Sequence, residues 1–166
     1  GLQFFLIQLT ALLTLQSNNL IISQVAGLEE VTNYNIAFKY LSVIFTFYMT
    51  LLTPLWSATT EAYARRDMEW IRNSIKKLNK IWFAIIFVGI TMILASSLVY
   101  KIWLNKVVTP DFLLLSLILL YFLLLLKSNL YRTVMNGVGK IRLQFFVTSI
   151  QAVLHIPLAV FLGNAF

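Results

Sequence analysis

Residues 31–65 read VTNYNIAFKYLSVIFTFYMTLLTPLWSATTEAYAR. Within this stretch Asn35, Lys39, Ser42, Thr46, Thr50, Thr53, Ser57 and Thr60 recur at steps of three and four. At about 100° per residue, that spacing gathers them on one narrow face of a helix. The other faces carry Phe38, Tyr40, Leu41, Val43, Ile44, Phe45, Phe47, Met49, Leu51 and Leu52. In a strongly apolar chain, such a helix turns its apolar sides to lipid or other helices and its polar side to a wet interior. The stripe suggests a passage for something polar.

The rest of the chain supplies that apolar setting. Hydrophobic residues make up 60% of the 166 positions and charged residues 11%, against roughly 45–50% and 25% in soluble domains. Runs such as Ile81–Tyr100 and Phe112–Leu126 approach or reach the length of a membrane span, about 20 residues. The prediction is an all-α integral membrane protein, a bundle of about five antiparallel transmembrane helices plus one cytoplasmic amphipathic helix. The spans are expected at about 2–26, 31–64, 81–104, 110–135 and 141–166, with the interfacial helix at 65–80. Pro54 predicts a kink near Thr50, and Gly27 is a suitable helix end. The short connections favour antiparallel neighbours in one bundle covering 1–166. A first residue other than Met, an apolar last segment and no visible signal peptide read as a piece of a longer protein.

Charge placement orients the bundle. The connection between the second and third spans holds Arg65, Arg66, Arg72, Lys76, Lys77 and Lys80, and that between the last two holds Lys140 and Arg142. The opposite connections have Glu29 and Glu30, or Lys101, Lys106 and Asp111. The positive-inside rule therefore puts the first pair of connections in the cytoplasm. The same distribution assigns the net charge of +7 to membrane lipids and not to nucleic acid. In 65–80, Met68, Ile71, Ile75 and Leu78 repeat at helical spacing, which reads as a helix lying on the inner surface and gripping headgroups.

Enzymatic constellations are nearly absent. There is no cysteine, and His155 is the single histidine, so zinc has no ligand set. No serine has a histidine–carboxylate pair placed to activate it, and Asn136-Gly137-Val138-Gly139 is an interhelical turn. No cofactor is expected. Polar faces recur instead: Gln144, Thr148, Gln151 and His155 share one side of the last span, and the first span has two polar edges. Any one of these groups could simply knit helices together.

Lys39 is the sharpest candidate, roughly 12 Å below the outer boundary if the helix starts at Val31. An ammonium at that depth must snorkel, pair with an acid or meet water. No carboxylate of this chain lies at that level, so a cation facing a cavity would suit an anionic cargo; the alternative is snorkelling to the headgroups. The candidate cavity residues are Lys39, Asn35, Ser42, Thr46, Thr53, Gln151, His155 and Arg132. Arg132 shares a face with Asn129 and Asn136 and could guard a cytoplasmic mouth. Lys127 could snorkel, and Glu61 with Arg65 is most simply a structural ion pair.

Asn33-Tyr-Asn-Ile-Ala-Phe-Lys39, Leu52-Thr-Pro-Leu-Trp-Ser-Ala58, Asp67-Met-Glu-Trp-Ile71 and Asn136-Gly-Val-Gly-Lys-Ile-Arg-Leu-Gln144 follow one another in that order. Together they resemble the polysaccharide-unit (O-antigen type) flippases of the multidrug/oligosaccharidyl-lipid/polysaccharide exporter superfamily, across essentially the whole chain. The resemblance implies the second bundle of a two-bundle, multi-pass transporter of the bacterial inner membrane, whose first bundle lies elsewhere in the same protein. It also implies alternating access, with an undecaprenyl-pyrophosphate-linked glycan repeat unit as cargo in surface polysaccharide biosynthesis. The pyrophosphate is then the anion that Lys39 could meet. Two other readings stay open: a cation-coupled multidrug exporter of the same superfamily, or a membrane glycosyltransferase or polymerase of the same pathway. The exporter would favour acidic groups within the membrane, and the enzyme would need a larger external loop than Asn105–Asp111.

Overall fold

The computed structural model describes residues 27–104 and 111–139, together with Ser23 and Ile150. The chain divides into two compact units, Ile36–Gly139 and a second made of Gly1–Asn35 with Lys140–Phe166. Three helices dominate the described residues: α1 at Leu28–Ala64, α2 at Met68–Leu104 and α3 at Phe112–Gly137. Each is long and apolar enough to cross a membrane. The spans expected at 2–26 and 141–166 lie, apart from Ser23 and Ile150, outside the described residues.

Each helix end has a local cause. Gly27, at φ +93°, holds a backbone conformation that side-chain-bearing residues rarely adopt. The α1–α2 turn closes when Asp67 N–H donates to the Ala62 carbonyl (2.8 Å) and Arg66 N–H to that of Tyr63 (3.0 Å). That pair of bonds is a Schellman motif, and it puts Arg66 in the left-handed region at φ +59°. The Asp67 carboxylate then caps α2 by accepting from the Trp70 N–H. Asp111 does the same for α3, accepting from the N–H groups of Leu113 and Leu114. The α3 helix therefore begins at Phe112 and not at Pro110, because the cap residue itself stands outside the helix.

One expectation about helix continuity changes. No separate interfacial helix occupies 65–80: after the turn, Met68–Lys80 runs without a break into the apolar part of α2. The 37 residues span about 55 Å, well beyond the ~30 Å of a hydrocarbon core. The basic stretch is thus the projecting end of a bundle helix, with Ile71 and Leu78 buried. Pro54 sits inside α1 without ending it.

Within Ile36–Gly139, long side chains tie the three helices. Tyr40 donates its hydroxyl to the Met92 carbonyl (2.8 Å) and Tyr48 to that of Leu78 (3.3 Å), joining α1 to α2. Phe122 of α3 packs between Phe38 and Phe45 of α1, with centroids 4.9 and 5.5 Å away. Trp82 of α2 donates its indole N–H to the Leu123 carbonyl (2.9 Å). These pairings make α2 antiparallel to both neighbours. At the basic end, a Cβ on Gly137 would stand 2.6 Å from the Thr59 Cβ, so α3 approaches α1 more closely than any larger residue permits.

Candidate functional site

The buried side of α1 is formed by Ala37, Tyr40, Leu41, Ile44, Tyr48, Leu52, Leu55, Thr59 and Ala62. By helical arithmetic the stripe of Lys39, Ser42, Thr46, Thr50, Thr53, Ser57 and Thr60 lies almost diametrically opposite. All of these are exposed except Ser42, which is half-buried. The stripe therefore does not knit α1 to α2 or α3.

Five of its six hydroxyls, all but that of Thr46, satisfy themselves. Ser42 donates to the Lys39 carbonyl, Thr50 to that of Thr46, Thr53 to that of Met49, Ser57 to that of Pro54 and Thr60 to that of Trp56. Each hydroxyl carries one proton and two lone pairs. With the proton held by the helix backbone, the lone pairs are what remains for a ligand. The face thus presents mostly acceptors, with the Lys39 ammonium and the Thr46 hydroxyl as its donors. Among the described residues, no carboxylate forms an ion pair with Lys39. Near the basic end, Thr53, Trp56, Ser57, Thr60, Glu61 and Ala64 line an open depression of about 650 Å³. Glu61 there is paired with Arg65, as expected for an i,i+4 ion pair.

Lys39, Ser42, Thr46 and Thr53 are thus brought onto one face. Asn35 belongs to the other unit, where its amide donates to the Val31 carbonyl (2.9 Å). Gln151 and His155 lie outside the described residues. Arg132 is half-buried on α3, on the helix that carries Asn129, Thr133 and Asn136. Thr133 donates to the Asn129 carbonyl, and Asn136 Oδ1 is buried with no hydrogen-bond partner among the described residues.

Lys127, read from the sequence only as able to snorkel, has partners on α2. Its ammonium donates to Asn79 Oδ1 (2.7 Å) and lies 4.5 Å from the centroid of the Trp82 ring. It is a clasp between α3 and α2. Sequence reading missed this because Asn79 and Lys127 are 48 residues apart on different helices. The only hint is that Asn79 interrupts an otherwise basic and apolar run.

The family model that matches is MatE, over residues 5–161. The chain belongs to the MatE family. A Salmonella typhimurium (strain LT2) protein named "Putative O-antigen transporter" is 23% identical over 160 residues. The match covers 91% of this MatE chain but 36% of that relative, so the chain spans about a third of its length. No solved structure gives a significant match. Family and helices together make this a multi-pass membrane chain of a transporter family, not of an enzyme family. The resemblance drawn from the sequence motifs is thereby upheld.

Proposed function

We propose that this MatE chain is part of a flippase that carries a lipid-linked oligosaccharide across the bacterial inner membrane, in surface polysaccharide biosynthesis. The cargo is an undecaprenyl-pyrophosphate-linked glycan repeat unit, and the polar face of α1 lines its path. The observation that carries the reading is the placement of that face: opposite the buried side of α1, rich in outward lone pairs and holding Lys39. Sugar hydroxyls are donors as well as acceptors, so a row of acceptors binds them weakly and without strict identity. An ammonium without a carboxylate partner supplies the one strong contact, to the pyrophosphate. The binding groups then serve a cargo that must be released on the far side by alternating access. The name of the Salmonella relative points the same way.

The test uses the full-length protein in a flippase-null strain displaying the matching glycan. Wild type should restore surface glycan, while Lys39→Gln should leave the precursor on the inner leaflet and lower surface glycan at least tenfold. Restoration by both would remove Lys39 from the path. A precursor that reaches the outer leaflet without the protein would overturn the flippase reading.

A further inference from the structure

One outward face of α2 changes character abruptly along its length. Phe83, Phe87, Ile90, Leu94, Leu98 and Ile102 follow one another on it at helical spacing, and all are exposed, Leu94 to 74% and Ile102 to 75%. From Phe83 to Ile102 is about 28 Å along the axis, close to the ~30 Å of a hydrocarbon core. The same face continues toward the turn with Lys80, Lys76 and Arg72, each one turn further, all exposed. None of the three forms an ion pair among the described residues, where the Glu61–Arg65 bridge is the sole example.

An exposed apolar face of bilayer length has lipid tails as its natural cover. The residues next in line then stand at the level of the headgroups of those same lipids. Lys80 lies about 4 Å and Lys76 about 10 Å beyond Phe83 along the axis, within reach of phosphate groups through their flexible stems. We infer that Lys76 and Lys80, backed by Arg72, form a binding site on the outer face of α2 for the headgroup of an anionic phospholipid. The lipid's tails lie along Phe83–Ile102. An acidic protein would match the charges but not the apolar face that continues from them, and the continuity of the two selects the lipid.

This site is on a different helix from the polar face of α1, and it stands whether or not the flippase reading does. A basic residue near an anionic surface is worth about a fivefold preference. The test is native mass spectrometry of the full-length protein titrated with phosphatidylglycerol or phosphatidylcholine. Wild type should bind the first phosphatidylglycerol more tightly than phosphatidylcholine. Lys76→Gln/Lys80→Gln should weaken it about 25-fold, fivefold per lysine, and leave phosphatidylcholine unchanged. Lys76→Arg/Lys80→Arg should keep the preference, as should Lys101→Gln at the far end of the same face. The inference is overturned if wild type shows no preference or if the double glutamine variant keeps it. It is equally overturned if Lys101→Gln loses as much, or if the loss extends to phosphatidylcholine.

Discussion

The outward faces of α1 and α2 are both exposed, with opposite chemistry. Tyr40, next to Lys39, bonds to the carbonyl of Met92, two residues from Leu94. Lys39 and Leu94 therefore stand at similar depth, both exposed, on helices whose buried sides face each other. On α2 the depth is occupied by Leu, Ile and Phe; on α1 by Lys, Ser and Thr, interspersed with Val43 and Phe47. A bundle bathed evenly in lipid would give its helices equivalent outer faces. Under the proposed path, the difference gives exposure within one unit two meanings: contact with lipid on α2, and on α1 a surface kept for something wet.

The largest expected effect tests that contrast directly. Leu94→Lys puts an ammonium where tails are expected and should cost about 3 kcal/mol of stability. If α1 faced lipid equally, Lys39→Leu should gain a comparable amount; facing water or cargo, it should change stability by less than about 1 kcal/mol. Unfolding midpoints of the full-length protein in bicelles decide it. A large gain from Lys39→Leu would make the polar stripe of α1 a tolerated lipid face, all its hydroxyls but that of Thr46 merely quieted by their own backbone.

A second comparison sets Lys39 against Lys127. The first is exposed with no carboxylate partner among the described residues; the second is held by Asn79 and the Trp82 ring. Hydrogen bonds to charged groups contribute about 1.5–3 kcal/mol and half-buried cation–π contacts about 1. Lys127→Met keeps the stem and removes the charge, leaving Asn79 without its donor. It should destabilise by about 2 kcal/mol, with little dependence on salt. Lys39→Met should do the reverse, sparing stability and lowering transport. Equal effects on stability would show that both lysines are structural.

These contrasts also mark what the sequence discloses. The stripe of α1 was legible because a helical period converts spacing into direction, and eight polar positions agree on one side. The period of Met68, Ile71, Ile75 and Leu78 was equally legible, but it names the apolar face and not its cover. A helix lying on a bilayer and one packed on a neighbour beyond the bilayer share that pattern, which is why the interfacial helix became the end of α2. Lys127 was ambiguous for a related reason: its partners come from another helix, and no local spacing encodes them. Asp111 entered the sequence reading only as a charge in an outer connection, and its capping role starts the helix at Phe112 where the span was expected from 110.

The smallest expected effect lies in the turn that sets the two faces apart. Arg66 adopts φ +59° because the Schellman bonds from Asp67 to Ala62 and from Arg66 to Tyr63 require a left-handed residue there. For a residue with a Cβ that conformation costs about 1–2 kcal/mol. Glycine removes this cost but loses more freedom on folding, roughly 0.5–1 kcal/mol. Arg66→Gly should therefore stabilise by about 0.5 kcal/mol, read as a small rise in the unfolding midpoint in bicelles. Arg66 is exposed and forms no ion pair among the described residues, so losing its charge should not obscure the backbone effect. A midpoint that falls would mean that the guanidinium contributes more than the strain costs, through headgroups at the basic end. The turn would then act as an anchor as well as the end of α1.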